Sequence, residues 1–277
     1  MVAPNGARRS KRDHPALPVS IPETVAAVAA CYEAGARGAH LHVRDAEGRH
    51  VLDAGLYREL LAELALAVPE MLAQVTTEAA GLYTPRQQIA LVRELVPRFA
   101  SVALREILSE GDEIAARRFY HWAREAGVNV QHILYDAAEV AWLADLVGRG
   151  VIPGEDLELL FVLGRYGQER DSEPADLAPF LDTLARSGLA AGWAACAFGR
   201  RETDCLVEAI ARGGKARIGF ENNLYNRRGG LARDNAERVA ELVAALAEAD
   251  VRAAAGVAAS GAPATRAAPA APSVCDG

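Results

Sequence analysis

His40 and His42 stand two positions apart in GAHLHVRDAEG (38–48), an apolar run that ends in Arg44 and Asp45. Strand side chains alternate between faces, so the two imidazoles point the same way with Cβ atoms about 7 Å apart, close enough to share one metal ion. The same spacing also suits two satisfied core or rim histidines, so a third ligand decides between the readings. Glu221 in RIGFENNL (217–224) is the carboxylate candidate, and its competing role is a rim ion pair with Arg217 or Arg44. Two histidines and one glutamate leave an open position on a zinc ion, which is the arrangement of a catalytic site. Glu78 and Glu106 are candidate general bases, with ion pairs to Arg105 or Arg44 as the alternative. Arg8 and Arg9 are candidate anion binders or a solvated charge pair.

These residues lie far apart in the chain, so a fold must bring them together. Strand-like segments at 38–43, 71–77, 99–104, 128–134, 157–163, 192–197 and 215–220 alternate with helix-period segments. The helices read at 21–34, 54–66, 84–95, 112–126, 137–148, 175–187, 202–213 and 234–248. Such alternation predicts parallel strands joined by crossover helices. With the opening MVAP as a short first strand there are eight units, and the economical α/β solution is a (β/α)8 TIM barrel over residues 1–248. An open doubly wound sheet would more usually carry a Gly-rich turn after its first strand, and none is present. Barrel active sites sit where strands end. That rim is where Asn5, His42, Thr76, Glu106, His132 and Glu221 fall. Gly213-Gly214 reads as a left-handed helix cap. His14, His50 and His121 read as structural or exposed, and the Ala/Pro-rich stretch 249–277 as a disordered tail.

Composition narrows the function classes. Net charge is −7, the positive charge is almost all arginine, and no basic cluster suggests nucleic acid as a partner. No apolar run approaches the roughly 20 residues that span a bilayer. The first residues lack a signal-peptide core, which predicts a cytoplasmic protein. Cys31, Cys196, Cys205 and Cys275 lack the paired spacing of a thiolate zinc site.

APNGARR (3–9), HPALPVS (14–20), HLHVRDAEGRH (40–50), Thr76-Thr77 and GGK followed by RIGFENNL together resemble the beta-keto acid cleavage enzyme family of zinc-dependent (β/α)8 barrels. The resemblance implies that His40, His42 and Glu221 bind Zn2+ and that Arg217 orients the catalytic acid/base. It implies exchange of a β-keto acid with acetyl-CoA, giving acetoacetate and a new acyl-CoA, by a homo-oligomer (dimer or tetramer). The chain departs from the family pattern at three points. Asn222 replaces the aspartate base, Glu78-Ala79 replaces a glycine pair, and Arg8 stands where amino-substrate members have a glutamate. Glu78 then becomes the candidate base and Asn222 a substrate-positioning amide, with Asn5, Arg8, Thr76 and Glu106 as substrate-binding candidates. Arginine at position 8 suits a keto acid whose side chain is uncharged or acidic. The missing aspartate keeps open a zinc hydrolase or aldolase on a small oxo acid, and a catalytically inactive metal-binding barrel.

Overall fold

The computed structural model describes residues 1–167 and 170–260, with side chains to Asp250. α1 (Ile21–Glu33) leads into β1 (Gly38–Leu41), and the hairpin of β2 (Val43–Arg44) and β3 (His50–Val51) precedes α2 (Ala54–Ala67). Then come β4 (Leu72–Thr76), α3 (Pro85–Leu95), β5 (Phe99–Ala103), the one-turn α4 (Leu104–Ile107), α5 (Glu113–Glu125), β6 (Asn129–Leu134) and α6 (Ala137–Gly148). β7 (Leu157–Leu163), a 3-10 turn (Pro174–Leu177), α7 (Ala178–Ser187), β8 (Ala191–Ala197), α8 (Glu202–Ala211), β9 (Lys215–Ala216) and α9 (Asn235–Ser260) complete the order. Polar caps fix where helices begin. Ser20 and Thr84 each form a reciprocal capping box, and the Asp53, Asp112 and Asp136 carboxylates accept first-turn amides.

The seven parallel strands run in the order β1-β4-β5-β6-β7-β8-β9. Val2 closes the ring as the eighth strand. Its amide donates to Gly38 O and its carbonyl accepts from His40 N, both at 2.8 Å, while Ala3 N donates to Ile218 O at 2.8 Å on the other side. The molecule is therefore a (β/α)8 barrel. Alternation along the strands sorts side chains into two layers. Leu159, Phe161, Leu163, Ala195 and Ala197 face the helices in the large outer core, whereas Leu160, Val162, Ala194, Cys196, Ala103 and Ile133 fill the inside.

Three boundaries differ from the sequence reading. The segment read as a strand over 38–43 stops at Leu41, because Val43–Arg44 pairs with His50–Val51 instead. The last strand was expected over 215–220, yet only Lys215–Ala216 is strand; a turn built on Gly219, at φ +146°, carries the chain from there into Glu221. α9 continues past 248 to Ser260, through the alanine-rich VRAAAGVAAS whose helix propensity is high. The rest of the expected tail, 261–277, lies outside the described residues.

Candidate metal centre and active-site cleft

β1 and the turn after β9 are neighbours across the closing seam, and this brings His40, His42 and Glu221 together at the mouth. One ligand atom from each lies within 4.8 Å of the others, and all three residues are buried. Their hydrogen bonds set the protonation pattern. His40 Nδ1 is 2.8 Å from Gln74 Oε1, an acceptor, so Nδ1–H donates and Nε2 keeps its lone pair. That Nε2 faces Glu221 Oε2 at 3.6 Å, beyond hydrogen-bond reach. His42 Nε2–H donates to Glu78 Oε2 at 3.0 Å, which leaves Nδ1 bare, buried and without a partner. Burial drives the His40 imidazole well below its ordinary pKa and that of His42 down to about 4, so both are neutral.

The His40 Nε2 lone pair thus faces an unpartnered Glu221 oxygen with no proton between them, and a ring nitrogen of His42 belongs to the same cluster. A cation resolves that repulsion, and two nitrogens with one oxygen suit a borderline-soft divalent ion with room for substrate. Gln74 in turn donates to Gln131 Oε1 at 3.2 Å, fixing the His40 tautomer from the barrel interior.

Arg217 Nη2 donates to Glu221 Oε1 at 3.3 Å and approaches Cys196 Sγ at 3.4 Å, while its buried Nε and Nη1 have no partner. It borders a cleft of about 310 Å³ whose walls include Glu78, Glu106, Tyr135, Tyr166 and Glu221 together with Arg8, Arg105 and Arg165. Burial raises the carboxyl pKa of both Glu78 and Glu106. Glu78 is held by its amide on Thr76 Oγ1 at 3.0 Å, and its Oε1 lies 4.0 Å from Arg8 Nε. The cleft therefore combines a place for a divalent ion, open guanidinium donors and a carboxylate able to hold a proton.

The candidate residues divide by position. Arg8, Glu78, Glu106, Arg217 and Glu221 share the cleft with the histidines beside them. Thr76 faces the Glu78 amide, and Asn5 donates to the His42 carbonyl at 3.2 Å, so each touches a neighbour of the centre. Asn222 is buried with both amide atoms unpartnered. Arg44 is committed to Gly48 O and Gly6 O and forms no pair with Glu221. Arg105 pairs with Glu139 and Asp136. His50, read from sequence as structural or exposed, is buried in the hairpin, stacks edge-on with His42 at 5.4 Å and bonds to Glu78 O at 2.8 Å. Gln74 and Cys196 were not foreseen, whereas Tyr166, which sequence places at the rim after the sixth strand, donates through Oη to the Glu221 carbonyl at 2.5 Å. Gln74 and Cys196 occupy inward positions of their strands, the one signal that marks them.

Over residues 1–259 the sequence matches the beta-keto acid cleavage enzyme family. The chain belongs to this family. It is 27% identical over 244 residues to the 3-keto-5-aminohexanoate cleavage enzyme of Fusobacterium nucleatum, covering 86% of this chain and 87% of that protein. It is likewise 27% identical over 258 residues to the 3-oxoadipate:acetyl-CoA acetyltransferase of Cupriavidus necator, covering 89% and 87%. The fold of ObcA superposes with a TM-score of 0.64 at 16% identity; the match covers 85% of this chain and 63% of the ObcA chain. This member is thus an enzyme of the keto acid cleavage and acetyl-CoA acyl-transfer type, with a His/Glu set able to hold a metal ion. Among the described residues no helix is long and apolar enough to cross a membrane.

Proposed function

We propose that this family member is a zinc-dependent acyltransferase that exchanges a β-keto acid with acetyl-CoA, releasing acetoacetate and a new acyl-CoA. The observation that carries the reading is the buried cluster of His40, His42 and Glu221, in which the His40 Nε2 lone pair faces an unpartnered Glu221 oxygen, beside the open donors of Arg217. His40, His42 and Glu221 hold the zinc, which when bound polarises the keto oxygen and acidifies the carbon between the carbonyls. Arg217 directs its free Nε and Nη1 at the substrate carboxylate.

Glu78 accepts the proton from the central carbon, whose electron pair adds to the acetyl thioester and expels the CoA thiolate. The thiolate then attacks the original acyl carbon, and the bond from that carbon to the central carbon breaks. Glu78 returns its proton to the released acetoacetate. Atoms balance without a water or a redox partner. Asn222, which cannot accept a proton usefully, positions the substrate instead of acting as base. Arg8, with Arg105 and Arg165 on the same cleft, favours a substrate side chain that is uncharged or acidic. As in the family, we infer a cytoplasmic homo-oligomer.

Metal analysis followed by turnover of a β-keto acid panel tests the reading, with new acyl-CoA and acetoacetate quantified together. Equimolar products that require acetyl-CoA and bound zinc are expected. Product formed without acetyl-CoA would favour a hydrolase or aldolase, and protein free of metal would favour an inert barrel. Preference for an amino-bearing keto acid would contradict the role given to Arg8.

A further inference from the structure

The turn that presents Glu221 has its backbone held by side chains from two helices that never reach the cleft. Glu202 opens α8, Arg238 lies in the second turn of α9, and both side chains are fully buried with an Nη2–Oε2 distance of 3.0 Å. The other Glu202 oxygen accepts the amide of Gly219 at 3.1 Å. Asn235, the first residue of α9, accepts the next amide, that of Phe220, at 2.9 Å through Oδ1. The Glu221 amide donates to Ala3 O at 3.1 Å. Three successive amides thus end on fixed acceptors.

A buried ion pair is a costly way to hold a helix. Apolar residues of similar volume commonly do so at no loss of stability, which directs attention to what else the pair holds. Here Glu202 supplies an acceptor that an apolar side chain lacks, aimed at the turn that carries the metal carboxylate. We infer that the Glu202–Arg238 pair and Asn235 are positioning residues that preorganise Glu221 for the metal; the inference rests on the metal reading above. Removing such an outer partner of a metal ligand commonly costs about 10- to 100-fold in metal affinity.

Zinc affinity, by competition with a chelating dye, and the melting temperature of the metal-free protein separate positioning from packing. Glu202→Leu combined with Arg238→Met replaces the pair by apolar volume and removes the acceptor. Glu202→Gln combined with Arg238→Met removes both charges and keeps an acceptor for Gly219 N–H. The first is expected to lose at least about 10-fold in zinc affinity and the second to stay within about 3-fold of wild type, at similar melting temperatures. Asn235→Asp keeps the acceptor for the Phe220 amide but loses the Nδ2 donor to Pro4 O, whereas Asn235→Ala frees both. Asn235→Ala is expected to weaken zinc in the same direction, more than Asn235→Asp does, and decides the matter if the first double variant does not fold. Wild-type affinity in the Leu/Met variant, or in Asn235→Ala, would overturn the proposal alone. A wild-type protein with no zinc affinity would overturn the metal reading and this inference with it.

Discussion

Glu78 touches His42 on one side and faces Arg8 and the open cleft on the other, and its carboxyl pKa is raised by burial. As the proposed base, Glu78 would serve the reaction without being a ligand, since it lies outside the set formed by His40, His42 and Glu221. Glu78→Gln keeps an acceptor for His42 Nε2–H but cannot take a proton. Turnover is expected to fall at least about 100-fold while zinc per chain, read by elemental analysis, stays at the wild-type value. Retained turnover would remove Glu78 as the base. Arg8→Glu is expected to shift the ratio of kcat/KM between an acidic and an amino-bearing β-keto acid by at least about 10-fold toward the amine, measured on the same panel. At this scale the sequence was readable where strand alternation fixed a face. His40 and His42 share one face by spacing alone, and Glu221 became their partner once the last strand was placed. His50 escaped because a two-residue hairpin strand has too little period to reveal burial, and Gln74 because an amide shows no chemistry until its neighbour is known.

The elements were legible where helix caps and alternating strands punctuate the chain, and less so where tertiary contacts override local pattern. β9 is cut to two residues because Gly219 at φ +146° turns the chain against the first strand; a Cβ there would lie 2.4 Å from Ala3 O. Both groups are backbone, so neither can yield cheaply. Gly219→Ala is expected to cost more than about 2 kcal/mol, lowering the melting temperature by about 6 °C or more. A second consequence concerns β6 and α5. His132, beside Gln131, faces outward onto Tyr120 of α5, with ring centroids 5.2 Å apart, while Gln131 faces the interior. Burial lowers its pKa from 6.5 to about 4, so the native state holds it neutral while the unfolded chain takes up a proton below 6.5. The unfolded state then binds more protons, and stability falls as pH drops from 6.5 to 4, by at most about 3 kcal/mol from this residue. His132→Leu removes that slope and also the unpartnered Nδ1. Denaturant titrations are expected to show it about 2 kcal/mol more stable relative to wild type at pH 5 than at pH 8. An unchanged difference between the two pH values would rule this out.

Across the whole molecule, the site and the closure of the barrel are one structure. The ring closes where β1 and β9 face each other through the short Val2 segment, and β9 has only two residues. His40 lies on one side of this seam and Glu221 follows the other, so the proposed zinc ion, held by both, would crosslink the first and last parts of the barrel. Ligand that binds only the folded state stabilises it by about 4 kcal/mol at a thousandfold excess over Kd, worth roughly 12 °C in melting temperature for a chain of this size. Chelation should therefore do more than stop turnover. Amide hydrogen exchange is expected to quicken at Val2, Ala3 and His40, whose bonds close the seam, and much less in β7 and β8, which pair with each other along their full length. Glu221→Gln, which removes the charged ligand from one side, is expected to reproduce the chelated pattern and to abolish most of the zinc-induced rise in melting temperature. Uniform quickening across all strands on chelation would place the metal's effect on the fold as a whole and not at this seam.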